Sequence, residues 1–115
     1  DEPPLDVDHA LFDDVLWPAL AARVPAFEAI RQTRSWAGYY EVNTVDRNGI
    51  VGPHPEWTNL VFANGFSGHG IQQSPAVARG VAELLVHGDY RTLDLSPLAF
   101  ERFARGEPVV ELNVV

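Results

Sequence analysis

The chain has 115 residues, a length that fits one domain with a modest hydrophobic core. Its net charge of -8 comes from 16 acidic against 8 basic residues, so neither nucleic acid nor an anionic membrane is expected as the main partner, because both reward clustered basic residues. The absence of cysteine excludes disulfides and thiolate chemistry, and no apolar run is long enough to span a bilayer.

The chain begins at Asp1 and contains no methionine. We therefore expect either that a longer precursor was trimmed or that the chain is the C-terminal piece of a larger protein. Residues 1–8 contain two prolines and are predicted to form a linker or trailing loop.

A helix is predicted over residues 9–23, with Asp8 as its N-terminal cap. Pro18 should kink this helix or split it, and Pro25 should end it. Its apolar face is formed by residues at helical spacing: Phe12, Val15, Leu16, Ala19 and Leu20.

The next stretch, residues 30–42, is rich in aromatic and β-branched residues and predicts a strand, interrupted near Gly38. Residues 46–49 have turn chemistry, with the Asn-Gly pair tolerating positive φ and Asp46 acting as a turn cap. Residues 50–52 are predicted to return as a very short strand.

Residues 60–63 form a compact apolar run of the kind that is buried on both faces of a parallel sheet. A helix is predicted from about Ser74 to His87, with Pro75 in its first turn and Gly88 just past its end. Gly80 inside it predicts a close contact with a neighbouring strand or a ligand. The predicted core stripe of this helix is Val77, Val81, Leu84 and Leu85. The tail is predicted to contain a turn at 96–97, a short amphipathic helix through Phe100 and Phe103, and an extended end over 109–115.

Three glycines, Gly65, Gly68 and Gly70, join the predicted strand to this helix. Glycine permits positive φ and close approach of a ligand, and the free amides of a helix start favour electron-rich atoms. The spacing is G-x-x-G-x-G, however, and not the dinucleotide fingerprint G-x-G-x-x-G. On pattern alone, a cofactor contact and a purely structural tight turn stand as equal alternatives.

Several motifs together resemble the C-terminal end of the FAD-dependent amine and amino-acid oxidoreductases, the superfamily of D-amino-acid oxidase, sarcosine oxidase and dimethylglycine dehydrogenase. They are residues 36–40, 44–52, 59–70 and 78–85. The resemblance implies an α+β or α/β fold: the C-terminal part of a two-domain flavoprotein, with the last strand and helix of the FAD-binding sheet and a strand of the substrate domain. It divides the chain into a helical lead-in (1–28), a substrate-domain strand and turn (29–58), a flavin-facing strand, glycine turn and helix (59–88), and a tail (89–115).

The resemblance also implies a site with noncovalent FAD, since no cysteine is present to tether it. The implied FAD contacts are Gly65, Phe66, Ser67, Gly68, His69, Gly70, Ile71 and Gln72. Catalytic or positioning roles are implied for His69, Gln72 and Tyr40, and substrate contacts for Tyr39, Tyr40 and Gln72; an aromatic core is an equally weighted alternative for the two tyrosines. No metal is expected, because His9, His54 and His87 lack ligand spacing.

Gln72 departs from the family pattern, because sarcosine oxidases carry at this position a lysine that helps to hold the substrate carboxylate. A neutral amide cannot supply that charge-assisted bond. This departure favours an alternative function, since residues 24–28, 49–55, 71–75 and 94–97 resemble a mitochondrial assembly factor for respiratory complex I and its bacterial relatives.

Three functions are therefore expected as candidates. The first is the flavin-facing part of an FAD-dependent oxidoreductase acting on C–N bonds, the second an assembly factor that contacts complex I subunits, and the third a cofactor-free interaction module. The family's N-terminal FAD-binding half is absent, so we expect the chain to associate with such a partner or with itself. The implied location is the mitochondrial matrix in a eukaryote and the cytoplasm in a bacterium.

Overall fold

The computed structural model describes residues 4–113, and the chain divides between Tyr39 and Tyr40 into two compact units. The first unit is helical. The second contains a two-stranded sheet and two helices. The regular elements are α1 (Trp17–Arg23), β1 (Ile50–Pro53), β2 (Val61–Asn64), α2 (Gly70–His87) and α3 (Glu101–Ala104).

In the first unit a π-helical segment, Phe12–Leu16, leads directly into α1. The predicted cap is confirmed, since the Asp8 carboxylate accepts a hydrogen bond from the Ala10 amide at 3.0 Å. Pro18 lies in the first turn of α1 and has no amide hydrogen, so the widened π turn just before it accommodates the missing bond of an α-helical ladder. The predicted disturbance at Pro18 is thus a change of helix type.

The end of α1 also agrees with the prediction. Val24 leaves the helical conformation and Pro25 begins a short 3-10 helix, Pro25–Ala29. The Trp17 indole N–H donates to the Phe27 carbonyl at 3.0 Å and ties this 3-10 helix to α1.

The strand predicted over residues 30–42 is wrong, because the structure assigns no strand there. A strand needs a hydrogen-bonded neighbour, and among the described residues β1 and β2 pair with each other only. Aromatic and β-branched residues favour a half-buried pleated surface rather than a backbone conformation as such. Trp36, with 81% of its surface exposed, has no such surface to join within residues 4–113.

The sheet of the second unit is an antiparallel hairpin in which Ile50 pairs with Asn64 and Pro53 with Val61. The very short strand predicted at 50–52 is confirmed as β1. The parallel pairing predicted for 60–63 is wrong, because residues 54–60 form a loop short enough to return the chain antiparallel, whereas a parallel crossover needs a dozen or more residues. Val51 is fully buried, whereas β2 is only half-buried at Val61 and Phe62 and exposed beyond them.

Helix α2 begins at Gly70, earlier than the predicted Ser74, so Pro75 lies inside it rather than in its first turn. Pro75 cannot donate to the Ile71 carbonyl, but the Ser74 hydroxyl does so at 2.9 Å. The predicted C-terminus is confirmed, because Gly88 adopts the left-handed conformation with φ 73° and donates its amide to the Leu84 carbonyl.

The inner face of α2 is narrower than predicted. Val77 and Gly80 are buried and Val81 and Leu84 are half-buried, but Leu85 is 70% exposed and does not belong to the core. A Cβ on Gly80 would lie 2.5 Å from Cδ1 of Leu95. The close contact predicted at this glycine is therefore made by the segment after the helix, and not by a strand or a ligand.

The tail forms a short 3-10 helix, Ser96–Leu98, and then α3, which agrees with the predicted turn and amphipathic helix. The part of the predicted extended end that is described, up to Asn113, has no regular structure, and residues 114–115 lie outside the described range. In the range 4–113 no helix combines the length and the apolar character that a membrane crossing requires.

Candidate functional site

The turn between β2 and α2, residues 65–69, which we call the glycine turn, bends the chain through a rare backbone conformation. Gly65, Ser67 and Gly68 have φ of 76°, 51° and 95°. Positive φ was predicted for three glycines; Gly70 is instead helical, and Ser67 takes the third left-handed position. Such a conformation costs a non-glycine residue roughly 1–3 kcal/mol and persists only where neighbouring groups enforce it.

The helix start beyond this turn presents free donors. His69 is the N-terminal cap residue of α2, and the first bond into the helix runs from the Gln73 amide to the His69 carbonyl at 3.1 Å. The amides of Gly70, Ile71 and Gln72 precede that bond and have no intrahelical acceptor. No side-chain cap covers them. The helix therefore offers its positive end to an electron-rich ligand.

Residues 41–43 hold the glycine turn through hydrogen bonds. One Glu41 carboxylate oxygen accepts the Gly65 and Phe66 amides at 3.1 and 3.3 Å. Bonds from its own amide and from those of Phe66 and Gly65 hold the pKa of Glu41 below its ordinary value. The fully buried Ser67 hydroxyl accepts the Asn43 amide at 3.0 Å and donates to the Gly65 carbonyl at 3.3 Å.

These bonds divide the predicted FAD contacts into two groups. The polar groups of Gly65, Phe66 and Ser67 are engaged by the protein itself, and the Phe66 ring packs against Gly49, where a Cβ would lie 2.4 Å from it. In the second group, Gly70, Ile71 and Gln72 keep open amides, whereas the His69 amide donates to the Phe66 carbonyl at 3.0 Å. FAD contact by all the predicted residues stays a prediction. Direct hydrogen bonds to FAD are expected only from the second group, residues 68–72.

His69 contributes an unusual feature to this second group. Its Nδ1 atom is buried and has no hydrogen-bond partner among the described residues. A buried polar atom without a partner costs about 1–3 kcal/mol, so native proteins rarely keep one without a use. Together with the open amides and the left-handed Gly68, this ring nitrogen marks the glycine turn as the candidate site.

The remaining predicted site residues are exposed. Ile71 and Gln72 lie in the first turn of α2, and 87% of the Ile71 surface is exposed. Tyr39 ends the first unit and Tyr40 begins the second, with 57% and 48% of their surfaces exposed. For both tyrosines, the substrate contacts and the aromatic-core alternative stay predictions.

A buried ion pair was missed by the sequence analysis. The Arg102 guanidinium donates to both carboxylate oxygens of Asp46, at 2.7 and 3.0 Å, and both side chains are buried. Asp46 also accepts bonds from the Asn43 side chain at 2.8 Å and from the Asn48 and Val109 amides at 3.3 and 3.1 Å. Asp46 is thus the predicted turn cap and, in addition, a hub. The signal in the sequence that could have indicated this pair is Arg102 itself, a single arginine within the amphipathic tail helix.

The ionised state of this hub is well supported. Burial raises the pKa of Asp46, but the hydrogen bonds from Arg102, Asn48 and Val109 outweigh it and hold the pKa below its ordinary value. Arg102 also donates to the Leu98 carbonyl at 2.6 Å. Both partners therefore have further hydrogen bonds, which a buried ion pair needs in order to offset its desolvation.

His54, also in the second unit, has a structural role. His54 Nδ1 accepts the Glu56 and Trp57 amides at 3.0 and 3.1 Å, and its ring stacks on Trp57 with centroids 4.8 Å apart. Over residues 4–113, no three histidine or carboxylate side chains converge in the way a metal ion would require.

Comparison with known proteins agrees with this geometry. The family described as FAD dependent oxidoreductase matches residues 1–84. The chain belongs to that family. It is 57% identical over 111 residues to FAD-dependent oxidoreductase domain-containing protein 1 of Xenopus laevis, covering 96% of this chain and 22% of the relative. It is 42% identical over 71 residues to the monomeric sarcosine oxidase of a Bacillus species, covering 62% of this chain and 18% of that enzyme.

A solved structure of another protein shares the fold. The crystal structure of L-proline dehydrogenase from P. horikoshii matches with a TM-score of 0.59 and 34% identity, covering 93% of this chain and 28% of that one. The predicted family and the predicted fold class, a mixed helix and sheet portion of a two-domain flavoprotein, are confirmed. The chain spans about a fifth of the length of the curated relatives, 22% for those from Xenopus laevis and Bos taurus.

Proposed function

We propose that this chain is the flavin-facing C-terminal part of an FAD-dependent oxidoreductase that acts on C–N bonds, and that an N-terminal segment completes the FAD site. The observation that carries the proposal is the glycine turn, which leads into a helix start with three open amides and ends at a buried, unpartnered His69 Nδ1. FAD would be held noncovalently, since the chain has no cysteine.

Of the predicted contacts from Gly68 to Gln72, the amides other than that of His69, which bonds to Phe66, would face the pyrimidine side of the flavin ring. When bound, FAD would supply the two-electron oxidising power for a C–N bond. The positive end of α2 would stabilise the negative charge that reduction brings, and the absence of a Cβ at Gly68 would let the ring approach the backbone. Glu41 and Asn43 would keep these donors in place.

His69 and Gln72 would act on the substrate side or at the flavin edge. Gln72, exposed in the first turn of α2, could donate to a carboxylate but would supply no charge. One relative named above is a sarcosine oxidase, which supports an amine or amino-acid substrate, and Gln72 would contact it without a positive charge.

Surface exposure supports the need for a partner segment. Helix α2 presents Ile71, Leu85 and Val86 to solvent with at least 70% of each surface exposed. Large apolar groups in one exposed helix face mark an interaction surface. The family's N-terminal FAD-binding half, which the matched relatives are long enough to contain, is the proposed occupant.

Gln72 also supports a second candidate, in which the flavoprotein serves as an assembly factor for respiratory complex I in the mitochondrial matrix with little oxidase activity. The resemblance of residues 24–28, 49–55, 71–75 and 94–97 to such an assembly factor supports this candidate. Both candidates bind FAD. They differ in whether the flavoprotein also oxidises an amine.

Paired glycine substitutions in the complete flavoprotein test the proposal. Gly68 and Gly88 both have positive φ, 95° and 73°, at opposite ends of α2. Gly68→Ala and Gly88→Ala should therefore cost similar backbone strain, roughly 1 kcal/mol. We expect Gly68→Ala to lose bound FAD, measured by visible absorbance and by titration, while Gly88→Ala retains it.

Equal retention of FAD by both variants would contradict the proposed flavin contact. A wild-type flavoprotein that purifies without flavin and cannot be loaded with FAD would instead support the cofactor-free interaction module. Amine-dependent reduction of the loaded wild-type protein would separate the oxidoreductase from the assembly factor.

A further inference from the structure

The two strained non-glycine residues of the described chain lie in two different turns. Arg47, with φ 60°, lies in the turn over residues 43–48, which we call the asparagine turn. Ser67, with φ 51°, lies in the glycine turn. Because strained residues persist only where neighbours enforce them, the contacts between the two turns show what enforces Ser67.

A continuous hydrogen-bonded relay joins these turns. Arg102 donates to Asp46, Asp46 accepts the Asn43 side-chain amide at 2.8 Å, and the Asn43 backbone amide donates to the Ser67 hydroxyl at 3.0 Å. The Ser67 hydroxyl in turn donates to the Gly65 carbonyl at 3.3 Å. Asn43 takes part with two different groups. Its side-chain amide bonds to Asp46 and fixes the position of Asn43, and its backbone amide bonds to Ser67 and holds the glycine turn.

Asn43 has little freedom to move. Its side-chain nitrogen also donates to the Asn48 carbonyl at 2.7 Å, and its side-chain oxygen accepts the Val45 amide at 3.0 Å. Arg102 donates to the same Asn48 carbonyl at 3.2 Å. The buried ion pair therefore sets the position of the asparagine turn, and the asparagine turn sets the position of Asn43.

We propose that Asp46 and Arg102 are positioning residues that act through Asn43 and Ser67 to hold the glycine turn in its ligand-accepting conformation. The relay's hydrogen bonds involve neither the open amides of Gly70 to Gln72 nor His69. Its effect on flavin binding rests on the proposed function, but its effect on the glycine turn does not.

The first experiment measures the turn without flavin. Amide hydrogen exchange in the flavin-free flavoprotein is followed for residues 65–70 and, as an internal reference, for the middle of α2. Arg102→Met should accelerate exchange in the glycine turn by roughly tenfold relative to α2, because local opening is set by local contacts. Arg105→Met is the matched control, since Arg105 pairs with Glu107 at the surface, and it should leave the turn unchanged.

The second experiment cuts the relay in its middle. Asn43→Ala removes the side-chain bond to Asp46 and leaves the ion pair itself in place. It should also accelerate exchange in the turn, whereas Asn64→Ala at the exposed end of β2 should not. In the Asn43→Ala background, Arg102→Met should have no further effect on the turn although it still lowers global stability, because residues that act in one network are not additive.

Equal acceleration by Arg102→Met in the wild-type and Asn43→Ala backgrounds would overturn the proposal, since the ion pair would then act on global stability alone. If Arg102→Met does not fold, the comparison of Asn43→Ala with Asn64→Ala decides. Amide exchange in the glycine turn that is no faster in Asn43→Ala than in Asn64→Ala would overturn the relay. In the loaded flavoprotein the dissociation constant for FAD should rise about tenfold with either variant, in line with the exchange. A wild-type protein that binds no FAD would contradict the proposed function. The relay would then be tested by the exchange experiments alone, because they need no flavin.

Discussion

The asparagine turn and the glycine turn use the same strained backbone conformation and differ in what satisfies their polar groups. In the asparagine turn, Asp46 and Asn43 find all their partners within the protein, and an arginine neutralises the buried charge. In the glycine turn, the donors of the helix start are open and His69 Nδ1 is buried without a partner. A strained and satisfied turn is a support, whereas a strained and unsatisfied turn is a candidate site.

Breaking the ion pair gives the largest expected effect. Arg102→Ala should lower the free energy of unfolding by about 3–5 kcal/mol, because it leaves the Asp46 charge buried and unpaired. Chemical denaturation of the protein measures this. Arg105→Ala breaks a surface pair with the same shortest N–O distance of 2.7 Å and should cost less than about 1 kcal/mol. Similar losses for the two variants would remove the distinction between the buried support and an ordinary surface contact.

Replacing two histidines by leucine tests the unsatisfied turn. His69→Leu should raise the free energy of unfolding of the flavin-free protein by about 1 kcal/mol, since it removes a buried polar atom without a partner. The same variant should weaken FAD binding. His54→Leu should instead lower stability by about 1 kcal/mol, because two amides lose their acceptor. Destabilisation by His69→Leu without loss of FAD affinity would mean that His69 is structural.

Glycine substitutions at the two strained residues separate strain from hydrogen bonding. Arg47→Gly relieves positive φ at an exposed residue and should change stability by less than about 0.5 kcal/mol, since the relief is offset by the greater freedom of glycine in the unfolded chain. Ser67→Gly relieves the same strain but loses two hydroxyl bonds, so it should lower stability by about 1 kcal/mol. Thermal unfolding ranks the two; a stable Ser67→Gly would show that the hydroxyl is dispensable.

Acid should loosen the glycine turn slightly through Glu41. Its pKa is lower in the folded protein than the ordinary 4.5, so its contribution to stability is complete above that pH and is lost as the pH falls below it. Protection of the Gly65 and Phe66 amides, measured as the intrinsic exchange rate at each pH divided by the observed rate, should fall in this range. Glu41→Gln should abolish this fall because the amide oxygen still accepts. Glu83, with its pKa lowered to about 2 by Thr92 and Arg91, stays ionised just below pH 4.5 and should not contribute. The effect is the smallest, because Glu41 is exposed and water screens its charge.

Local signals predicted much of the fold. The Asp8 cap, the end of the first helix at Pro25, the short strand at 50–52 and the Gly88 terminus depend on one or two residues and their immediate backbone, and all four are confirmed. The failures concern pairing. The strand over 30–42 and the parallel arrangement of 60–63 required a neighbour that the pattern did not specify.

The site shows the same division. Glycine spacing located the turn, and the motifs identified the family, because small residues and their order are written in the chain itself. The Arg102–Asp46 pair joins residues far apart in sequence, and periodicity carries no information about such a contact. The sequence also did not distinguish the free amides of the turn from those that are hydrogen-bonded. That distinction depends on the contacts of Glu41 and Asn43 with the turn.

The sequence by itself determined the family, the helix ends and the place where the backbone bends sharply, because capping residues, prolines and glycines act on their own neighbours in the chain. The tertiary structure alone decided which turn is supported and which is open. Burial and hydrogen-bond satisfaction depend on what lies next to a group in space, and a buried charge or an unpartnered ring nitrogen exists only once the chain has folded around it.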